Sequence, residues 1–239
     1  MEVIADELRP ETLRHGRTRC SGIRSIGLLI AGATIVASCS TGSETVEQTF
    51  EPLDTADCIV WLHGKGERGA DSSVVDGVGQ VSPTGNGSVS GGSEWLYFPA
   101  DRYDEALQIV SAAVADSECE VVVIGGFSNG AAFAGAIYCS GETLSGKLVG
   151  VVVDDPPPDQ GTQDCTPAEG VEIALYWTGA LDELAVDGTQ CESIGWTCLG
   201  GELVGIDRYA QALGAPISDS PFDEHRWYRE ASEFTMWLG

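Results

Sequence analysis

Reactive chemistry concentrates in one short stretch of this 239-residue chain, Gly126-Phe127-Ser128-Asn129-Gly130. A serine hydroxyl is a poor nucleophile until a positioned base takes its proton. The chain carries three histidines, His15, His63 and His225. The stretch follows an apolar run at 121–124 and precedes Ala131, Ala132, Phe133, Ala136 and Ile137, which recur at helical spacing. A serine on such a strand-to-helix turn is held in a strained conformation with its hydroxyl above the sheet. Small residues must flank it, because the helix backbone passes close to the strand, and Gly126, Gly130 and Ala131 meet that need. The helix N-terminus adds a positive dipole end beneath the reacting oxygen. The chemistry expected of such a turn is nucleophilic attack on an acyl carbon.

The elements that must position this serine are short apolar runs at 58–62, 95–98, 121–124, 148–153 and 173–177. Runs without polar alternation indicate strands buried on both faces, as in a parallel sheet. Helical patterns alternate with them. Asp101 is positioned to cap a helix carrying Tyr103, Leu107, Val110 and Val114. Further helices are expected from Ser128, over 203–213 and over 228–238. The alternation predicts an α/β fold: a mostly parallel central sheet of about six strands, with helices on both faces. Residues 69–93 are rich in Gly and Ser without clear periodicity, and are expected to form a long functional loop.

The first 39 residues read as an export signal. Arg14, Arg17, Arg19 and Arg24 precede an apolar run at 26–36 and a small-residue exit, Val36-Ala37-Ser38-Cys39. That tetrapeptide resembles the lipobox of bacterial lipoproteins, which implies lipidation at Cys39. The long lead with Glu2, Asp6, Glu7 and Glu11 departs from that pattern. A polar tether follows at 40–56, and the folded body is expected over 57–239. Export places Cys58, Cys119, Cys139, Cys165, Cys191 and Cys198 in an oxidising compartment, where they are expected to form disulfides rather than a metal site. Cys58 and Cys119 each stand near the start of an apolar strand, and if those strands are neighbours the two lie within disulfide reach. Cys191 and Cys198 can close a small loop, leaving Cys139 for Cys165. The net charge of −25, from 37 acidic and 12 basic residues, disfavours nucleic acid and anionic lipid surfaces as partners.

The Gly-Phe-Ser-Asn-Gly stretch in its strand–helix setting, together with Val60-Trp61-Leu62-His63-Gly64-Lys65-Gly66, resembles the α/β-hydrolase fold family over most of 57–239. Gly-Phe-Ser-Asn-Gly-Ala and Leu-His-Gly-Lys-Gly are also similar to motifs of small secreted polyester and feruloyl esterases. The resemblance implies a minimal, lidless member, similar in scale to cutinases and small carboxylesterases. It implies an oxyanion hole made by the backbone amides of Lys65 and Asn129, with His63 and Gly64 shaping the first loop. It implies Ser128 as nucleophile and His225, in Phe222-Asp223-Glu224-His225-Arg226-Trp227, as base. The acid is expected after a later strand, and Asp182, following Thr178-Gly179-Ala180-Leu181, is the first choice. Glu183, Asp187, Asp154 and Asp155 compete with it. The implied activity is hydrolysis of small or polymeric carboxylic esters by a monomer that needs no metal or organic cofactor, in contact with membrane only through a lipid anchor. The same triad cleaves amides, and a descendant that only binds ligands would keep the same fold.

Overall fold

The computed structural model describes residues 55–75, 77–220 and 225. The segment expected to be an export signal, with Cys39, nearly all of the expected tether and the helix expected over 228–238 lie outside the described residues. Within them the elements run β1 (Cys58–Leu62), β2 (Ala70–Val75), β3 (Val78–Ser82), β4 (Gly87–Val89), β5 (Gly92–Glu94), α1 (Ala100–Ala115), β6 (Val122–Phe127), α2 (Asn129–Cys139), β7 (Leu148–Asp154), β8 (Glu172–Trp177), α3 (Ile206–Leu213) and β9 (Ile217–Asp219).

Seven strands form one sheet in the order β2-β3-β1-β6-β7-β8-β9. All neighbouring pairs are parallel except β2 with β3. The strands expected at 58–62, 121–124, 148–153 and 173–177 are all present. Every residue of β1 and β6 is buried, which is why both read as unbroken apolar runs. Their side chains divide by parity: Cys58, Val60 and Leu62 enter the larger core cluster, while Ile59 and Trp61 enter a smaller one with Val123, Phe127 and Val152. All three described helices contribute to the larger cluster, through Val110 and Val114 of α1, Phe133 and Ile137 of α2, and Tyr209 and Leu213 of α3.

The sheet has one strand more than expected, because the segment foreseen as a loop at 69–93 supplies β2 and β3, while β4 and β5 pair with each other in a separate two-stranded sheet. Its glycines serve close backbone approach: a Cβ on Gly69 would strike the Ser82 carbonyl, and one on Gly92 the Gly66 carbonyl. Conversely, the apolar run at 95–98 is not a strand. Trp95 and Tyr97 are fully buried, but the backbone between them bonds to side chains. The Asn129 carboxamide accepts from the Trp95 N–H at 2.6 Å, and the Asn86 carboxamide accepts from the Leu96 N–H at 2.8 Å. Burial alone does not distinguish a ladder from such anchoring. Nor is Asp101 the cap of α1. Pro99 occupies that position, and Asp101 lies in the first turn, where a carboxylate still favours the helix dipole.

The cysteines pair Cys58–Cys119, Cys139–Cys165 and Cys191–Cys198, with Cα separations of 5.6, 4.2 and 6.0 Å. This is the pairing that strand adjacency and loop size favour. No described helix is long and apolar enough to cross a membrane.

Candidate active site

Ser128 sits between β6 and α2 with φ 52° and ψ −119°. That conformation is costly for a side chain other than glycine, and it holds only where the surroundings enforce it. Two backbone bonds do so: the Ser128 N–H donates to the Asp154 carbonyl, and the Ala132 N–H to the Ser128 carbonyl, both at 3.0 Å. The flanking glycines are required by space. A Cβ on Gly126 would run into the Gly130 carbonyl, and one on Gly130 into the Leu62 carbonyl. Thus the end of β1, the end of β6 and the start of α2 close on one another around the serine.

The imidazole of His225 stands over it, with Nε2 3.1 Å from Ser128 Oγ. On its other side Nδ1 lies 2.6 Å from Asp155 Oδ2. A carboxylate only accepts, so Nδ1 carries the proton and Nε2 is free to accept from the serine hydroxyl. The Phe127 ring packs against the imidazole at a centroid distance of 4.6 Å.

The acid beside His225 is therefore Asp155 and not Asp182, the first choice from sequence. Asp155 follows β7 directly at φ 51° and is completely buried. Its carboxylate also accepts from the Thr178 N–H at 3.1 Å and the Thr178 hydroxyl at 2.8 Å. Asp182 is exposed and accepts instead from the Trp177 indole N–H at 2.8 Å. Two of the other competitors are also engaged elsewhere. The Asp154 carboxylate accepts from the Ser220 hydroxyl at 3.0 Å, and Asp187 pairs with Arg208 at 3.1 Å. The sequence signal that favours Asp155 is an acidic pair at the end of an apolar strand, followed at once by Pro156-Pro157-Pro158, which stiffen the exit.

His63 is 2% exposed and takes no part in this chain. Its Nε2 accepts from the Gly85 N–H at 3.0 Å, so Nδ1 carries the proton and donates to the Gly64 carbonyl at 2.7 Å. Burial lowers its pKa, and the bond to Gly64 only partly offsets this. Gly64 packs against Phe127 and donates to a Glu67 carboxylate oxygen at 3.2 Å.

A cleft of about 280 Å³ opens over these groups. Ser128, His225, Lys65 and Asn129 line it together with the apolar side chains of Pro157, Leu181, Leu184, Ile194 and Trp196. Among the described residues, nothing is bonded to the backbone amides of Lys65 and Asn129. Part of the cleft wall is the loop closed by Cys191–Cys198. Sequence reading missed its anchor, Asp159, a buried carboxylate that accepts from the Gly161 and Gly200 amides, both at 2.8 Å, and from the Leu199 amide. Burial raises the Asp159 pKa, and these three bonds oppose the rise. The Tyr97 hydroxyl donates to the Thr197 carbonyl at 2.6 Å and holds the same end of the loop. Among the described residues no cluster of three or more His, Cys, Asp or Glu side chains is arranged to hold a metal.

Comparison with known proteins adds fold-level likeness alone. No protein-family model and no curated protein matches the chain. Among solved structures, the chain is similar to a carboxylesterase from Bacillus cereus, at 18% identity and a TM-score of 0.45, covering 76% of this chain and 86% of that one. A carboxylesterase from Mesorhizobium loti matches at 16% identity and a TM-score of 0.40, covering 76% and 87%. An esterase from Pyrococcus furiosus matches at 11% identity and a TM-score of 0.40, covering 76% and 79%.

Proposed function

We propose that the chain is an exported serine hydrolase that cleaves carboxylic esters through an acyl-enzyme on Ser128. The observation that carries this reading is the continuous path Ser128 Oγ, His225 Nε2, His225 Nδ1, Asp155 Oδ2, with gaps of 3.1 and 2.6 Å, opening into an apolar-walled cleft. His225 takes the hydroxyl proton as Ser128 attacks the acyl carbon. The carbonyl oxygen, now negative, is received by the amides of Lys65 and Asn129. Each such donor contributes about 3 kcal/mol of transition-state stabilisation in comparable sites. The imidazolium then gives its proton to the leaving alkoxide, and the alcohol departs. Water, deprotonated by the same nitrogen, attacks the acyl-enzyme and releases the acid. Asp155 keeps the imidazole in one tautomer and stabilises its positive form, without itself taking the proton.

Three cysteine pairs at disulfide distance support an oxidising, extracytoplasmic location. A lipid anchor at Cys39 is part of the proposal, and the intact mass of the mature protein tests it. The enzymatic reading is tested with a fluorophosphonate probe and a series of p-nitrophenyl esters. Covalent labelling of Ser128, together with loss of turnover by roughly 10⁴-fold or more in Ser128→Ala, is the expected outcome. A folded wild-type protein that is neither labelled nor active would make the chain a binding module. Faster turnover of matched amides than of esters would make it an amidase.

A further inference from the structure

The two amides proposed to hold the oxyanion lie far apart in sequence, yet the side chains of both residues are fastened to adjacent residues of one short segment. Lys65 Nζ lies 2.8 Å from Glu94 Oε2. Asn129 grips the backbone of Trp95 with both ends of its carboxamide. It accepts from the Trp95 N–H at 2.6 Å and donates to the Trp95 carbonyl at 3.2 Å. We infer that Glu94 and Trp95 form a common brace that positions both oxyanion donors, and that Lys65 acts through this brace and not by touching substrate.

The brace is itself held on several sides. Backbone bonds stitch it to the loop that carries Lys65: the Gly66 N–H donates to the Ser93 carbonyl at 2.8 Å, and the Ser93 N–H to the Glu67 carbonyl at 2.7 Å. Trp95 is fully buried and stacks on Phe133 of α2, with ring centroids 5.1 Å apart. It also packs against His63 at 5.4 Å. The helix that starts behind the nucleophile and the loop after β1 are therefore referenced to the same residue. A backbone amide points where its neighbours allow. Anchoring the side chain of the same residue removes the remaining freedom, which is what a preorganised oxyanion hole requires.

Lys65 also ties this assembly across the cleft. Its ammonium donates to the Gly195 carbonyl at 2.9 Å, and Glu94 accepts from the Thr197 hydroxyl at 3.3 Å. Two of the three ammonium N–H groups are thus taken by a nearly buried carboxylate and a carbonyl, and the Glu94 charge offsets that of Lys65. An interaction that orients donors toward a developing charge acts on the transition state, so its loss lowers kcat and leaves KM nearly unchanged. A lysine that bound substrate would do the reverse.

This inference rests on the hydrolase reading, and one set of measurements separates the two. Lys65→Met, Lys65→Arg and the isosteric Glu94→Gln are assayed on p-nitrophenyl butyrate and for inhibition by phenylboronic acid, whose tetrahedral adduct with Ser128 uses the same hole. Expected are a fall in kcat of about tenfold in Lys65→Met and Glu94→Gln, a KM within about twofold of wild type, weaker boronate inhibition in step with kcat, and recovery of most of the rate in Lys65→Arg. A kcat within twofold of wild type in both Lys65→Met and Glu94→Gln overturns the brace, as does a raised KM at unchanged kcat. If wild type turns the ester over and is labelled at Ser128 while these variants match it, the brace alone fails. If wild type does neither, the hydrolase reading fails and takes the brace with it.

Discussion

Two parts of the cleft are built in different ways. Ser128 and Asp155 stand on turns that leave the adjacent parallel strands β6 and β7, both at positive φ and both buried. Leu181, Leu184, Ile194 and Trp196 come from irregular segments and a 3-10 turn at Cys191–Ile194, and Leu184 is 42% exposed. Strand ends are fixed by ladder bonds on both sides, so groups mounted there keep their geometry. Loop walls are fixed only where something pins them: here the Cys191–Cys198 pair, the Asp159 carboxylate and the Tyr97 hydroxyl. The contrast shows that the positions of Ser128 and Asp155 are a property of the sheet. The apolar wall of the cleft belongs to a loop that is fastened by side chains from outside the seven-stranded sheet, Lys65 and Glu94 among them.

The sharpest way to break this distinction is to compare two carboxylates of the same chemical type. Asp155→Asn is expected to lower kcat by roughly 10⁴-fold, because an amide cannot hold the required tautomer. Asp182→Asn keeps an oxygen for the Trp177 indole and is expected to change kcat less than about threefold, within the range of ordinary surface changes. Comparable losses in both would mean that the sheet end does not own the chemistry. The pinned loop offers a second, smaller effect. Replacing Cys191 and Cys198 together by Ala is expected to cost about 2 kcal/mol of stability, the scale for closing a short loop. It is also expected to raise KM several-fold for longer acyl chains with kcat nearly kept. Thermal melts and a chain-length series read these two outcomes, and a fall in kcat with KM unchanged would contradict them.

The smallest effect concerns the buried imidazole beside the cleft. The pKa of His63 is lowered from 6.5 by burial, so in the window just below 6.5 the unfolded chain binds more protons than the folded one. Stability therefore rises with pH across that window and is lost as pH falls from about 6.5 toward the lower folded value. The melting temperature is expected to fall between pH 7.5 and 5.5, and His63→Gln is expected to flatten that slope. An unchanged slope in the variant would assign the pH dependence to other groups.

How much of this was legible from sequence differs from element to element. The strand at Cys58–Leu62 was readable to the residue, because a strand buried on both faces admits no polar position. The serine turn was readable because its glycines are demanded by local crowding. The acid was not. Asp155 and Asp182 both follow the ends of neighbouring parallel strands, whose axes lie about 5 Å apart, so either could reach the same imidazole. Their difference lies in which way each side chain turns, and Thr178 and Trp177 settle that through space. The strands within 69–93 were hidden for a related reason. β3 exists as a strand because β1 lies beside it, and its Gly- and Ser-rich neighbourhood carries no pattern of its own.

Local sterics and side-chain parity act over short range, so the serine on its turn and the burial of the central strands could be read directly from the residues, whereas Cys58–Cys119, 61 residues apart, could be paired only once β1 and β6 were known to be neighbours. The tertiary structure alone decided which carboxylate meets His225 and which segment fastens Lys65 and Asn129. Those contacts join residues tens of positions apart, and their directions are set by packing around them rather than by anything in the intervening chain.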